Sequence, residues 1–214
     1  MNMMGPNSIA VVAAAPEKLR SKDTYYPYKQ DATFSYLSGF PEPSAVMVLI
    51  PGRDQGEFLM FCREKDRLKE TWDGFLYGPE GARDDYAADD AFPINDIDEI
   101  LPGLLEGRGR VYYDIGKDAD FDRHLMEWIT NIRDQRARGA VPPGEFVDLG
   151  YYVNEMRLLK STGEIKLMRR AGAISAGAHR RAMQASQPGL YEYQLQAEIE
   201  HEFAVHGASG PAYT

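Results

Sequence analysis

Cysteine is nearly missing from this chain: Cys62 is the one thiol in 214 residues. A lone thiol cannot build an internal disulfide framework, which excludes the small cross-linked scaffolds of secreted domains. Its neighbours in "EFLMFCRE" are apolar and strand-like, so the thiol reads as buried and inert rather than as a nucleophile. Long apolar runs are missing too. No segment approaches the length of a bilayer span, and "MNMMGPNS" has no secretory pattern, so the expectation is a cytoplasmic protein with no membrane partner. Positive charge is scarce, with 24 Lys and Arg against 33 Asp and Glu and a formal net charge of −9. Without a basic stripe to meet phosphates, nucleic acid is not an expected partner.

Histidine is limited to His124, His179, His201 and His206. "HEFAVH" sets the last two five residues apart around a Glu, one residue more than the zinc-binding helix motif uses. At about 100° per residue the extra step turns the second ring off the shared face. His124 and His179 have no Cys or carboxylate at ligand spacing, so they read as ordinary helix residues. Nucleophile elbows, phosphate-binding loops and dinucleotide fingerprints are absent, and the many carboxylates form no recognisable acid–base pair. Local chemistry therefore predicts no catalytic residue, no metal ligand and no cofactor on this chain.

What is present is an ordinary globular composition, 43% hydrophobic and 27% charged, long enough for one large domain or two modest ones. Charge divides it: residues 1–148 hold 27 acids and 17 bases, residues 149–214 hold 6 and 7. "SIAVVAAA", "SAVMVLI", "GEFLMFCRE" and "RVYYDIG" read as strands, the middle two as a hairpin across Pro51-Gly52. "DFDRHLMEWITNIRDQ" repeats Phe121, Leu125, Trp128 and Ile132 at helical spacing, and "INDIDEILPGLLEG" is a shorter helix ended by Gly107. The acidic run at 84–99 reads as a solvated helix and loop, and "RARGAVPPGEF" as a loop or hinge. Beyond it the texture changes. "STGE" is a capping box opening a helix that aligns Leu167, Ala171, Ile174, Ala178 and Ala182. A second helix follows "QPGL", with Tyr191, Leu195, Ile199 and Phe203 at four-residue steps. Strands alternating with helices, then helices alone, predict a mixed-sheet α/β domain over 1–148 and the start of a second domain over 149–214.

The stretch "DTYYPYKQDATFSYLSGFPEP" (23–43) crowds aromatic and polar residues together more densely than a strand requires. It resembles the signature of the N-terminal domain of the aminopeptidase P family, which belongs with the creatinases and prolidases. Asp23, Tyr26-Pro27-Tyr28, Gln30, Phe34, Tyr36, Gly39-Phe40 and Glu42-Pro43 carry the likeness, with Lys29 standing where Arg is more usual. "KETWDGFLYGPEGA" is similar to the family's Trp-x-Gly segment. "VNEMRLLKSTGEIKLMRRAGAISAGAHRRAM" and "PGLYEYQLQAEIEHEFAVHGASGPAY" are similar to the entrance of its pita-bread catalytic domain.

The resemblance implies a metal-dependent Xaa-Pro aminopeptidase as the parent, acting on peptides with proline in second place. It implies a homo-oligomer and two manganese ions held by two Asp, a His and two Glu, which in the family lie beyond this chain. The chain then reads as an N-terminal, inactive fragment with no metal of its own. Three residues carry over as substrate-binding. Trp72 matches a Trp that reaches into a neighbouring subunit's pocket, although a Trp beside a turn also suits its own domain's core. Asp23 matches an Asp in a polar network near the active-site mouth, and otherwise suits a turn before a strand. Tyr213 matches a Tyr lining the pocket for the first residue of the peptide. Tyr26, Tyr28, Phe34 and Tyr36 are assigned to packing and oligomer contacts. The same fold also admits a prolidase, or a stand-alone binding module without catalysis.

Overall fold

A computed structural model describes Met1 and residues 3–211, with the backbone alone at Asp73. It divides into two compact units, Met1–Met156 and Arg157–Thr214. The first begins with β1 (Ser8–Ala13), whose apolar run is buried almost throughout. A small hairpin of β2 (Leu19–Ser21) and β3 (Thr24–Tyr25) precedes the short helix α1 (Ala32–Ser38). β4 (Val46–Leu49) and β5 (Phe58–Cys62) form the expected antiparallel hairpin, in register from Val46↔Phe61 to Leu49↔Phe58. Gly56 in its turn has φ +109, and a β-carbon there would lie 2.2 Å from Asp89 Cβ, so the close approach requires glycine. Then come α2 (Arg67–Asp73), α3 (Gly78–Asp84), β6 (Asp90–Pro93), α4 (Ile97–Leu105), β7 (Arg110–Tyr112), α5 (Ala119–Asp134), β8 (Glu145–Val147) and α6 (Leu149–Leu158).

The main sheet has six strands in the order β6-β5-β4-β1-β7-β8. Only β4 opposes the rest: it is antiparallel to β1 and β5, whereas β1–β7, β5–β6 and β7–β8 are parallel. Five carboxyl ends therefore share one edge of the sheet. Because both faces are covered, the inner strands read as continuous apolar runs rather than alternating ones. One face sends Ala10, Val12, Met47, Met60 and Cys62 against Phe34 of α1, Ala82 of α3 and Leu149 and Val153 of α6. The other sends Ile9, Val11, Val48 and Phe61 against Leu101 and Leu105 of α4 and Leu125, Trp128 and Ile129 of α5. This is a mixed α/β domain with helices on both faces. Cys62 lies in the first core, and burial, followed by the nearby Glu42 carboxylate, pushes its thiol up to about 12.

Two segments depart from the sequence reading. The acidic run at 84–99 contains β6, which adds to the sheet parallel to β5 and buries Ala91. Strand pairing wins there because Ala91 and Phe92 face the sheet's two covered sides while the acids around them stay accessible. The Gly/Pro-rich segment likewise ends in β8, held to β7 by the Arg110–Glu145 ion pair as well as by the ladder. Neither strand exceeds four residues, too short for a periodic signal.

The second unit consists of α7 (Thr162–Ala185) and α8 (Glu192–Val205), packed on one another. The capping box forms as its spacing predicts: the Ser161 hydroxyl accepts from the Glu164 amide and Glu164 Oε2 accepts from the Ser161 amide at 2.7 Å. Those bonds hold the Glu164 carboxyl below its ordinary range. Of the predicted α7 stripe, Ala178 is buried and Leu167 is exposed. On α8, Leu195, Ile199 and Phe203 are half-buried, whereas Tyr191 is the N-cap and lies exposed. Glu202 bonds His206 at 3.0 Å and pairs with Arg181 at 3.6 Å, so the central Glu of "HEFAVH" serves an ion network.

Candidate functional site

The dense segment at 23–43 is organised around one amide side chain. Gln30 Oε1 accepts from the Ala15 and Asp31 backbone amides at 3.0 and 2.8 Å. Its Nε2 donates to the Phe40 and Glu42 carbonyls at 3.2 and 2.9 Å. Gln30 thereby ties the exit of β1 to the turn after α1, using the complete inventory of a primary amide. Tyr28 Oη lies 3.0 Å from the Ala15 carbonyl and 2.9 Å from Gln30 Oε1. Burial first, then the Glu17 charge, raises its phenol to about 12, so it stays a hydrogen-bond donor at neutral pH. Phe34 is wholly buried, while Tyr25 and Tyr26 are exposed.

Asp31 continues the segment as the N-cap of α1, accepting from the Thr33 and Phe34 amides. Its second oxygen meets Lys117 Nζ at 2.8 Å, and Lys117 also reaches Asp114 at 3.4 Å. Burial alone would raise the Asp31 pKa; the Lys117 hydrogen bond and the capping amides outweigh it and hold it below the ordinary value. Glu42 is 6% exposed; it accepts from the Tyr77 amide at 2.6 Å and sits 3.6 Å from Arg63. Glu42 thereby links the start of α3 to Arg63, just beyond β5. The sequence carried no periodic or spacing signal for the Lys117–Asp31 or Arg63–Glu42 pairs, since the partners lie far apart in the chain.

Tyr28, Gln30, Asp31, Asp114 and Lys117 border a crevice of about 670 Å³. It opens beyond the carboxyl ends of β1 and β7, between Ala13–Ala15 on one side and Tyr113–Asp114 on the other. From β1 the chain leaves towards β4, and from β7 towards β8 on the opposite flank, so adjacent parallel strands feed connections that diverge. In open α/β sheets that divergence is where ligands are bound. A second cleft of about 560 Å³ lies beyond β5 and β6, bordered by Arg63, Lys65, Arg67 and Lys69.

The three residues expected to meet substrate fall in different places. Trp72 is on α2 and 88% exposed, so it takes no part in its own domain's core. Leu68, one turn earlier, is 80% exposed, and Phe75 follows just beyond the helix with Lys65 over its ring at 4.9 Å. Asp23 occupies the exposed turn between β2 and β3, after Lys22 at φ 37. Tyr213 lies outside the described residues. Among the described residues no three of His, Cys, Asp or Glu converge to hold a metal. The described side chains do not fit a dinuclear centre.

Two families match. "Aminopeptidase P, N-terminal domain" matches residues 1–112 and "Metallopeptidase family M24" matches residues 166–214. The chain belongs to the aminopeptidase P family. Among curated relatives, an Xaa-Pro aminopeptidase of Escherichia coli is 40% identical over 214 residues, 100% of this chain and 48% of the relative. One from Haemophilus influenzae is 35% identical, with 98% of this chain and 46% of the relative aligned. The structure of Pseudomonas aeruginosa aminopeptidase PepP superposes with a TM-score of 0.96 at 56% identity, over 99% of this chain and 48% of that one. The chain thus spans about half the length of the relatives it matches. Its aminopeptidase P N-terminal domain is followed by the start of the M24 domain, as the sequence reading anticipated.

Proposed function

We propose that the chain is the N-terminal, non-catalytic portion of a metal-dependent Xaa-Pro aminopeptidase. In this reading the parent removes the first residue from peptides with proline second. The match of both families, in order, to chains twice this length carries the proposal. Two manganese ions belong to the part of the parent that lies outside this chain. The parent is a cytoplasmic homo-oligomer, and the domain boundary falls between residues 148 and 149, with residues 149–214 holding the linker and the start of the catalytic domain. No described helix is long and apolar enough to cross a membrane.

Trp72 and Asp23 are proposed to shape substrate access, with Tyr213 beside them in the parent. The support is Trp72 itself: an indole left 88% exposed on a short helix beside exposed Leu68 and Phe75 is suited to burial against another surface.

The test uses the full-length gene product, an Xaa-Pro-containing tripeptide and an Xaa-Pro dipeptide, with and without manganese. The expected result is metal-dependent release of the first residue from the tripeptide, and none by the 214-residue chain alone. Cleavage confined to the dipeptide would assign a prolidase instead. No cleavage by the full-length protein would leave a binding module, and cleavage by the 214-residue chain would overturn the division of labour.

A further inference from the structure

Between β5 and α3 the chain makes an excursion, residues 64–76, that has almost no core of its own. Among its described side chains Leu76 alone is buried. Its helix, α2, has seven residues, too few to be stable in isolation. Leu68 and Trp72, one helical turn apart, and Phe75 just beyond them all stand exposed. Internal bonds shape the excursion: Asp66 caps α2, and Glu70 Oε1 accepts from the Leu76 amide at 3.1 Å. They do not fix how it stands on the domain. That falls to its two ends.

Both ends meet at one carboxylate. Glu42 Oε1 accepts from the amide of Tyr77, just after the exit, at 2.6 Å, and Glu42 Oε2 lies 3.6 Å from Nη2 of Arg63, just before the entrance. Beside that carboxylate the backbones close on each other: a β-carbon on Gly78, at φ +67, would lie 3.3 Å from the Lys65 amide nitrogen. Glu42 is itself held from behind, since its carbonyl accepts from Gln30 Nε2 at 2.9 Å. The grip reaches the exposed rings through Tyr77, which packs edge-to-face with Phe75 at 5.0 Å between ring centres. The contact with Arg63 is charge on charge: Glu42 Oε2 and Arg63 Nε are buried with no hydrogen bond among the described residues. It therefore depends on both charges being present.

We infer that Glu42 is the positioning residue for Trp72: by clasping the entrance and the exit of residues 64–76 together, it sets how the indole is presented without meeting a ligand itself. A contribution to general stability would be felt throughout the domain, whereas a clasp acts on the excursion alone. What Trp72 then does for substrate rests on the peptidase reading; the clasp does not.

The test compares the 214-residue chain with its Glu42→Gln/Arg63→Met variant. This removes the ionic contact, leaves no unpaired buried charge and keeps an acceptor for the Tyr77 amide. Amide hydrogen exchange is followed residue by residue, together with NMR relaxation of the Trp72 indole N–H. The expected result is exchange about tenfold faster at the bonded amides of Glu70, Gly74, Leu76 and Tyr77, and a more mobile indole, with β1, β4 and β5 unchanged. Arg63→Lys, which keeps the charge, is expected to stay closer to the native rates than to those of the double variant. Unchanged exchange in the excursion, acceleration spread equally over the strands, or loss of the fold would each overturn the inference. In the full-length protein, the double variant is expected to change KM or kcat for the tripeptide in the same sense as Trp72→Ala and to add nothing in that background. Additive losses, or none, would overturn the assignment of Glu42 to Trp72. A full-length protein that cleaves nothing would sink the peptidase reading and leave the exchange result to decide the clasp.

Discussion

The two units of this chain solve the same problem with opposite means. In Met1–Met156, strands too short to stand alone are held by two apolar layers, one on each face of the sheet. In Arg157–Thr214, long helices are specified at their ends and along their contact by polar groups, and Ala178 is the single buried core residue among those described. Helices satisfy their own backbone hydrogen bonds, so caps and ion pairs go far towards defining them. Strands satisfy theirs only through neighbours, so a sheet is defined by its packing. The first unit is the stable platform, and the second is a pair of locally encoded helices.

The contrast can be broken most forcefully at Phe61, fully buried on β5. Phe61→Ala is expected to destabilise the first unit by about 3–5 kcal/mol, lowering its urea midpoint while the helicity of α7 and α8 persists. Simultaneous loss of both would show that the units unfold as one. A smaller effect is expected at Asp31, where Asp31→Ala removes the α1 cap and the Lys117 partner together, about 1–2 kcal/mol. The native pKa of Asp31 is depressed, so its contribution is complete above the ordinary carboxylate range and is lost as pH falls through the lower native value. The gap between wild type and Asp31→Ala in urea midpoint should therefore narrow on acidification. A gap that widens would contradict the assigned direction.

Ser161→Ala removes the capping box, and its effect, about 1 kcal/mol, is expected to stay within α7. Faster hydrogen exchange at the first-turn amides, with an unchanged urea midpoint for the first unit, would sharpen the comparison. The smallest effect on stability is expected at Trp72. Trp72→Ala should shift the folding free energy of the chain by less than about 0.5 kcal/mol, because the indole is 88% exposed. Under the proposed peptidase reading, the same variant in the full-length protein is expected to raise KM or lower kcat for the tripeptide.

Legibility in the sequence followed the range of the interaction. β1, β4 and β5 were readable because their cores demand unbroken apolar runs, and the α7 capping box because its two partners are three residues apart. β6 and β8 were not, since three or four residues inside acidic or Gly/Pro-rich segments become strands only when a neighbour offers a ladder. Within the candidate site, the aromatic and polar density at 23–43 marked the segment whose Tyr28, Gln30 and Asp31 line the crevice. It did not single out Gln30 as the residue that ties it together, nor Lys117, which follows β7 while its partner Asp31 lies far earlier in the chain, on the segment that follows β1. Trp72 was ambiguous as a sequence feature because an indole beside a turn is equally compatible with a core or a surface.

Composition, periodicity and local spacing by themselves determined an α/β domain, helices to follow it, an inert thiol and a family resemblance. Each of these depends on residues adjacent in the chain or on a signature read along it. Tertiary structure alone decided that Trp72 faces outward, that Glu42 is buried beside Arg63, and that β1 and β7 part to leave a charged crevice. Those outcomes depend on which distant strand ends become neighbours. Strand order is set by global burial and by the routes of the connections, which no local window of sequence contains.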